Sequence, residues 1–340
     1  MRLAEIYGPI QPQLDETQAL FVEELKLGSG LIGELTRYVS LMPGKRMRPA
    51  LTIAAAGLFP AGRRPAARKR VVQLAAAVEM IHTATLLHDD VIDGAALRRG
   101  LSTINAKWGD TLSVLSGDYL YSKAFCLLAE LDHGAVLKLL SDTARLVCVG
   151  EVSQIQHRFD IHLSRQRYLK IIEWKTASLL RAAAEAGALL GGSGPADAAR
   201  CRSFGLNFGL AFQILDDMQD LVGEESALGK SLGTDLSEGQ VTLPMIYLRD
   251  AAGARASRML AQCFNGHANG NGNGHTAPVD SDQARLRYRR LQKEAVKHQV
   301  PAYCRRVAGR YLAQARAALK PFPDSESKQL LLQLTNHLVR

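Results

Sequence analysis

The sequence predicts an all-α protein, and two features of its patterning support that prediction. Apolar residues recur at helical spacing along nearly the whole chain, and Ala and Leu are abundant, without sustained alternation of apolar and polar residues. Clusters such as LFPAGRRP and LGGSGPAD separate some of the helices with Pro and Gly, which mark turns. We predict no pair of β-strands. The predicted helices span residues 11–27, 68–90, 109–131, 135–157, 165–190, 196–222, 241–250, 283–299 and 301–319.

The composition is that of a globular protein with an excess of positive charge. Hydrophobic residues make up 47% and charged residues 22%, which argues against a disordered chain, a collagen-like chain or a small disulfide scaffold. Lys and Arg number 42 against 33 Asp and Glu, a net charge of +9. That excess suits nucleic acid, an anionic membrane surface or acidic small substrates, and composition does not distinguish among them.

We predict a single domain over residues 1–340, although a chain of this length more often forms two. The segment 265–281 is rich in Gly and Asn and lacks apolar content, so we expect a flexible loop inserted within that domain. The five cysteines are scattered and form no CxxC pair, and the first residues contain no apolar core of a signal peptide. We therefore expect a cytoplasmic protein, with the apolar stretch 71–87 as a buried helix.

Two aspartate clusters each end a long apolar helix: HDDVID at 88–93 and DDMQD at 216–220. Helical positions i and i+4 are neighbours, so Asp89 and Asp93 share a face. Three carboxylates on one turn repel one another and indicate a bound cation. Oxygen ligands without His or Cys favour Mg²⁺, which also bridges to phosphates. A solvated helix end would explain one such cluster, but two copies argue against it. The predicted metal ligands are Asp89, Asp90, Asp93, Asp216, Asp217 and Asp220.

Basic residues near these clusters indicate an anionic substrate. GKRMRP at 44–49 places three cations in four residues, and Arg98 and Arg99 follow the first aspartate cluster. Arginine binds phosphate oxygens in bidentate fashion, whereas lysine contributes a point charge. Each basic group alone is typical of a solvated surface. Beside two metal-binding turns, a diphosphate pocket explains them better.

These motifs, in this order, resemble the trans-polyprenyl diphosphate synthases, or isoprenyl synthetases. The resemblance covers nearly the whole chain from Gly44, and the paired DDxxD motifs make it specific. The stretches VEMIHTATLLHDDVIDGAALRRG, SVLSGDYLYSKAF, GEVSQ, KTASLL and FGLAFQILDDMQD look most like the long-chain octaprenyl and solanesyl type. The resemblance implies an all-α isoprenoid-synthase-type bundle around a deep central cavity, and a homodimer.

The resemblance also implies roles for individual residues. Asp89, Asp93 and Asp216 would hold the Mg²⁺ ions that bind the allylic diphosphate, with the other three aspartates in support. Isopentenyl diphosphate would be bound by Lys45, Arg48, His82 and Arg99. The allylic substrate would be contacted by Arg98, Lys175, Thr176, Gln213 and Lys230. The catalytic set would be Asp89, Asp90, Asp93, Lys175, Thr176, Gln213 and Asp216.

One position departs from the family pattern, because Gln240 stands where the family usually has Lys. We expect the loss of that cation to weaken one diphosphate contact. The implied reaction begins with ionisation of the allylic diphosphate. The double bond of isopentenyl diphosphate then attacks the allylic cation, and the released pyrophosphate accepts the proton. Dipoles of Lys175, Thr176 and Gln213 would stabilise the cation.

The residues before the first aspartate motif bear on product length. Ala84 lies five residues before Asp89 and Thr85 follows it, and both are small, whereas short-chain family members place bulky aromatics there. Five residues span about 7.5 Å of helix, and Ile81 lies further down nearly the same face. We predict a long product, of seven or more isoprene units. The alternative is that Ala84 and Thr85 are ordinary core positions and another helix closes the pocket.

Other functions stay open at this stage. The nearest is a geranylgeranyl or farnesyl diphosphate synthase, followed by a non-catalytic subunit of a heteromeric synthase, which Gln240 weakly favours. A terpene cyclase typically has only one DDxxD motif, and a nucleic-acid binder is suggested by charge alone. The surplus charge lies in GRRPAARKR at 62–70 and RLRYRRLQK at 285–293. Such runs are most often solvated faces, and contact with an anionic membrane is the second possibility.

Overall fold

The structure is a computed structural model that describes residues 2–26, 30–42, 44–98, 100–223, 233–264 and 282–339. Three predictions fall outside the described residues: the loop at 265–281, the substrate contact Arg99 and the substrate contact Lys230.

The all-α prediction is confirmed. The helices up to the middle of the chain are α1 (Leu3–Tyr7), α2 (Gln11–Glu24), α3 (Leu31–Ser40), α4 (Met47–Gly57), α5 (Pro65–Ile92), α6 (Ile104–Trp108), α7 (Asp110–Glu130) and α8 (Gly134–Gln156). Those that follow are α9 (Arg165–Ile172), α10 (Ser178–Leu190), α11 (Pro195–Val222), α12 (Thr234–Ser237), α13 (Leu243–Ala252), α14 (Ala254–Phe264), α15 (Asp282–Lys297), α16 (Val300–Leu319) and α17 (Glu326–His337). Each predicted segment overlaps an observed helix, whereas α1, α3, α4, α6, α12, α14 and α17 lie outside the predicted segments.

One pair of short strands contradicts the expectation that the chain has none. β1 (Leu97–Arg98) pairs antiparallel with β2 (Leu101–Ser102), with Arg98 opposite Leu101. Gly100 has a φ of +80°, which a glycine adopts without steric cost and which closes the hairpin. Two-residue strands are too short to produce the alternating pattern by which strands are recognised in a sequence.

The described chain divides into two compact units. The first unit comprises Met1–Val147, Ala177–Gly209 and Leu312–Arg340. The second unit comprises Cys148–Thr176 and Leu210–Tyr311.

Helix α5 is the central helix of the first unit. It packs against α2, α4, α7 and α10, and Leu74, Met80 and Leu87 are fully buried on it. The helix is long and apolar enough to cross a membrane, but 67% of its apolar window is buried within the protein, as expected of a core helix. Helix α4 approaches α10 so closely that a Cβ on Gly187 would lie 2.2 Å from the carbonyl oxygen of Thr52.

The second unit packs α13, α14 and α15 around Leu260 and Leu291, which are both fully buried. Arg249 on α13 donates from Nη1 to the carbonyl oxygens of Ile161 and Leu163, at 2.7 and 3.0 Å. These bonds tie the connection between α8 and α9 to α13.

Candidate functional site

The first aspartate motif lies at the carboxyl end of α5, with its middle carboxylate turned into the protein. Asp90 has no solvent exposure, and its Oδ1 accepts a hydrogen bond of 2.6 Å from Nε of Arg98. Burial raises the pKa of the Asp90 carboxyl, and the adjacent Arg98 guanidinium opposes that rise. Arg98 was predicted to contact substrate. In this structure it is the partner of a buried carboxylate.

The β1–β2 hairpin holds Arg98 in this position. Asn105 donates from Nδ2 to the carbonyl oxygens of Asp90 and Ala95, at 3.2 and 3.1 Å. The Thr103 hydroxyl donates to the same Ala95 oxygen at 2.5 Å. These bonds fold the chain after α5 back onto the end of that helix, which explains how a residue eight positions downstream reaches Asp90.

Asp89 and Asp93, the outer aspartates of this motif, are half-buried on one face of the helix end. The amide of Asp93 donates to the carbonyl oxygen of Asp89 at 2.8 Å, so Asp93 caps the helix. The preceding His88 inserts between α5 and α7, with Nε2 3.4 Å from Oδ1 of Asp118. Only a glycine leaves room for this ring at position 117 on α7, because a Cβ on Gly117 would lie 2.2 Å from Nε2 of His88.

Three residues predicted to bind isopentenyl diphosphate lie in the first unit. Lys45 is exposed just before α4, and Arg48 and His82 are half-buried on α4 and α5. The Tyr7 hydroxyl donates to the carbonyl oxygen of Lys45 at 2.9 Å, and burial raises the pKa of that hydroxyl. This bond fixes the chain that leads into α4.

The positions predicted to set product length lie on α5 below the first motif. Ile81 and Ala84 have no solvent exposure. Thr85 is half-buried, and its hydroxyl donates to the carbonyl oxygen of His82 at 2.6 Å. Full burial of Ala84 suits both a tunnel wall and an ordinary core position, so its role stays a prediction.

The second motif, at the end of α11, repeats the inward turn of the middle carboxylate. Asp217 is 4% exposed and accepts two short hydrogen bonds, from the Tyr168 hydroxyl to Oδ2 at 2.5 Å and from Gln213 Nε2 to Oδ1 at 2.6 Å. Burial raises the pKa of the Asp217 carboxyl to about 7, although these two hydrogen bonds lower it. The neighbouring Asp216 and Asp220 carboxylates raise it further. Gln213, predicted as a substrate contact, lies one helical turn before Asp217 and donates to it.

A further carboxylate, Asp235, joins this cluster. The amides of Thr234 and Asp235 donate to the two carboxylate oxygens of Asp220, at 3.2 and 3.1 Å. Burial and the neighbouring aspartates, Asp220 first, raise the pKa of Asp235 well above its usual range. Burial also raises the pKa of Asp220. The spacing of the second aspartate motif does not predict that Asp235 belongs to this cluster. Asp235 lies on α12, and the fold of the chain brings it beside Asp220.

Lys175 and Thr176 lie in a π-helical turn, Glu173–Ala177, between α9 and α10. Such turns are rare and occur frequently at functional sites. Lys175 Nζ is 2.5 Å from Oε2 of Glu151, which is 8% exposed. Helix α8 approaches this turn so closely that a Cβ on Gly150 would lie 2.4 Å from the Lys175 amide nitrogen. Glu151 and Gly150 belong to the GEVSQ stretch, for which sequence reasoning gave no role.

A cavity of about 100 Å³ in the second unit brings several predicted residues together. Its walls include Gln154, His157, Tyr168, Lys175, Thr176, Gln213, Asp217 and Gln240. Gln240 therefore stands in the wall where a family lysine would be expected. Its backbone amide donates to the carbonyl oxygen of Asp235 at 2.7 Å, and its side-chain amide donates to Glu238.

The residues present fit a divalent cation whose remaining ligands come from water and phosphate. Among the described residues, no three His, Cys, Asp or Glu side chains converge into a closed metal cage. Magnesium is usually bound by one or two carboxylates together with waters and substrate phosphates. Asp89 and Asp93 supply such a pair, and the Oδ2 atoms of Asp90 and Asp235 are buried without a hydrogen-bond partner among the described residues.

Comparison with known proteins places the chain in a family. The polyprenyl synthetase family model matches residues 30–273. Octaprenyl diphosphate synthase of Haemophilus influenzae is 32% identical over 98% of this chain and 95% of its own length. Heptaprenyl diphosphate synthase component 2 of Geobacillus stearothermophilus is 37% identical over 73% of this chain and 76% of its own. A polyprenyl synthase from Caulobacter crescentus, solved with calcium and isoprenyl diphosphate, superposes with a TM-score of 0.88 at 34% identity, covering 99% of this chain and 97% of that one.

The chain is a prenyltransferase that belongs to the polyprenyl synthetase family. Its similarity to the octaprenyl synthase extends over nearly the full length of both proteins. Both aspartate motifs fall within the matched region.

Proposed function

We propose that this prenyltransferase condenses isopentenyl diphosphate with an allylic diphosphate, repeatedly, to give a long-chain all-trans polyprenyl diphosphate. The observation that carries the proposal is the repeated motif: each apolar helix ends with one buried, hydrogen-bonded aspartate between two half-buried ones. The buried member would fix the turn, and Asp89, Asp93 and Asp216 among the outer members would supply carboxylate oxygens to a cation that binds diphosphate. The similarity to an octaprenyl diphosphate synthase supports the long product.

We propose Mg²⁺ as the cofactor, held by Asp89 and Asp93 in the first motif and by Asp216 in the second. When bound, the metal would neutralise charge on the departing pyrophosphate as a Lewis acid.

The Lys175 ammonium would bind a diphosphate oxygen, and its pairing with Glu151 keeps that charge in place in the absence of substrate. The Thr176 hydroxyl and the Gln213 amide oxygen, in the wall of the same cavity, would direct dipoles at the allylic cation. Apolar wall residues such as Leu163 and Ile172 would exclude water that could quench it. The released pyrophosphate would accept the proton.

The experiment that tests this function compares Asp89→Ala and Asp216→Ala with the control Asp142→Ala. Asp142 is an exposed aspartate on α8 that pairs with Lys138, one turn away. Incorporation of labelled isopentenyl diphosphate should fall by orders of magnitude in the first two variants and hardly change in the control. Near-normal turnover in Asp89→Ala, with helical circular dichroism retained, would refute the metal assignment.

The magnesium requirement has its own test. Protein treated with a chelator should be inactive with isopentenyl diphosphate and farnesyl diphosphate, and added Mg²⁺ should restore turnover. Binding of Mn²⁺ in the presence of pyrophosphate, followed by electron paramagnetic resonance, should be lost in Asp89→Ala. Full activity after chelation would contradict the proposal.

We propose a homodimer. Val149, Val152 and Ile155 follow one another at helical spacing on α8 and are each 39–56% exposed. A second copy of the chain would cover this stripe, since exposed contiguous apolar patches mark interaction sites. Sedimentation should give a dimer that Val152→Asp converts to a monomer. A monomer that becomes active only with a second, different subunit would instead favour the heteromeric alternative, which the similarity to a component 2 protein raises.

We further propose a cytoplasmic location with peripheral contact to a membrane surface, because the polyprenyl chain of the product is apolar and gains free energy on leaving water. Nucleic acid is not among the proposed partners, because the cavity and the motifs suit small diphosphates.

A further inference from the structure

The two basic runs in the sequence differ in how the protein uses their cations. In the run at 62–70, the side chains of three arginines bind backbone carbonyl oxygens or a carboxylate of the first unit. Arg63 donates from Nε to the carbonyl oxygen of Gly57 at 2.8 Å, and Arg70 donates to that of Leu131 at 2.7 Å. Arg68 pairs with Glu16 at 2.6 Å. This run is therefore largely part of the intramolecular contacts of the first unit.

The run at 285–293 is different. It lies on α15, where Arg289, Arg290 and Lys293 are all exposed. None of these three side chains has an acidic or hydrogen-bonding partner among the residues that the structure describes. From 285 to 297 the helix carries six cations and a single acid, Glu294. Glu294 is 8% exposed and pairs with Arg255 and with Lys297, each at 3.3 Å, so it does not compensate Arg289, Arg290 and Lys293.

The exposed cations lie on one face together with two apolar side chains. At 100° per residue, the face that we call the α15 basic face spans about 120° of the helix. It consists of Leu286, Arg289, Arg290, Lys293, Val296 and Lys297. Leu286 and Val296 are 53% and 58% exposed. The opposite side of α15 is buried against α13 and α14 through Leu291 and Ala295, so the helix is held with this face outward.

We propose that the α15 basic face binds the anionic surface of a lipid bilayer. Positive charges attract the anionic lipid surface, and Leu286 and Val296 would enter the interfacial region, where apolar side chains gain from leaving water. The phosphate backbone of nucleic acid would use the cations but not these two residues. The choice of a bilayer also rests on the proposed function, because the apolar interior of a bilayer accommodates a long polyprenyl chain.

The test is co-sedimentation with vesicles, which does not depend on prenyl transfer. The triple variant R289Q/R290Q/K293Q removes the cations and keeps residues that favour a helix. The matched control R37Q/R64Q/K69Q removes three exposed positive charges from the first unit. Vesicles of phosphatidylcholine containing phosphatidylglycerol are compared with vesicles of phosphatidylcholine alone, at low and high ionic strength.

We expect the natural protein to bind only the anionic vesicles, and less tightly in high salt. Each cation contributes about fivefold to the partition coefficient, so the triple variant should bind about 100-fold more weakly. The control variant should bind like the natural protein. Equal binding by the triple variant and the control would overturn the proposal, as would binding to plain phosphatidylcholine. Tighter binding of this face to labelled duplex DNA than to anionic vesicles would replace the bilayer with nucleic acid.

Prenyl transfer is measured on the same three proteins without vesicles. All three should have the same turnover, since the α15 basic face contains none of the proposed catalytic residues. Inactivity of all three would refute the proposed function while leaving the vesicle result to stand by itself. If the triple variant loses its helical circular dichroism, the single variant K293Q takes its place in the vesicle assay. About fivefold weaker binding to anionic vesicles is expected for K293Q.

Discussion

The Tyr168 hydroxyl donates a 2.5 Å hydrogen bond to the carboxylate of Asp217, and both groups are buried in the second unit. The hydroxyl comes from α9 and the carboxylate from α11, so the bond joins two helices at the second aspartate motif. Asp90 has an analogous partner in Arg98. In both motifs the middle aspartate is therefore bonded to a side chain that lies outside the motif, and its role as a metal ligand stays a prediction.

Tyr168→Phe should lower the free energy of unfolding in urea by about 1.5–3 kcal/mol, the range for a hydrogen bond to a charged group. It should also weaken binding of Mn²⁺ with pyrophosphate, because the turn that carries Asp216 is less firmly held. The control is Tyr119→Phe, whose hydroxyl donates to the neutral carbonyl oxygen of Glu24 at 3.2 Å. If Tyr168→Phe lowers stability but leaves metal binding unchanged, Tyr168 is structural only.

Arg98→Gln should destabilise the protein, because it leaves the fully buried Asp90 carboxylate without its ion pair. Breaking a buried pair costs about 3–5 kcal/mol, and we expect about 2–3 kcal/mol because Arg98 is 31% exposed. Arg68→Gln, which breaks the exposed pair with Glu16, should lower the stability much less, because solvent screens an exposed ion pair. Unchanged urea stability in Arg98→Gln, with only the KM for the allylic substrate raised, would return Arg98 to the role of a substrate contact.

The sequence sufficed for the fold class, the long helices and both aspartate motifs, because these follow from helical periodicity and from i, i+4 spacing. The partners of the buried aspartates were not predictable in the same way. Tyr168 is 49 positions from Asp217 and belongs to no motif, so only the packing of α9 against α11 reveals the bond. The same holds for Glu151, whose pairing with Lys175 depends on the contact between Gly150 and the π-helical turn.

Arg98 illustrates a different limit. The resemblance implies that Arg98 contacts the allylic substrate, and that contact stays a prediction, but charge and spacing do not reveal that its side chain also pairs with Asp90. The short hairpin that turns Arg98 toward Asp90 is too brief to leave a pattern in the sequence.

Ala84→Leu and Ala84→Phe should shorten the product progressively, if the growing chain runs beside α5. Because Ala84 is fully buried, overpacking should also cost about 1–3 kcal/mol in stability. Ala54→Leu adds the same volume at a fully buried position on α4 and should leave product length unchanged. Chromatography of dephosphorylated products provides the readout. Unchanged length in folded Ala84→Phe protein would remove Ala84 from the tunnel.

Gln240→Lys should lower the KM for the allylic diphosphate, since it adds a cation to the wall of the cavity that contains Lys175. A charge-assisted hydrogen bond of about 1.5 kcal/mol corresponds to roughly tenfold in affinity, with little effect on kcat. Gln314→Lys, an exposed position on α16, controls for the added charge. An equal change of KM in both variants would mean that the added charge acts through the long-range electrostatic field of the protein. It would contradict a local contact between residue 240 and the diphosphate.

The proposed function is tested most directly by the chain length of the product. The purified protein is incubated with Mg²⁺, labelled isopentenyl diphosphate and farnesyl diphosphate, and the product is identified. We predict an all-trans polyprenyl diphosphate of seven or more isoprene units, with no elongation after chelation of the metal. Products that stop at geranylgeranyl diphosphate, or elongation that persists without a divalent cation, would contradict it.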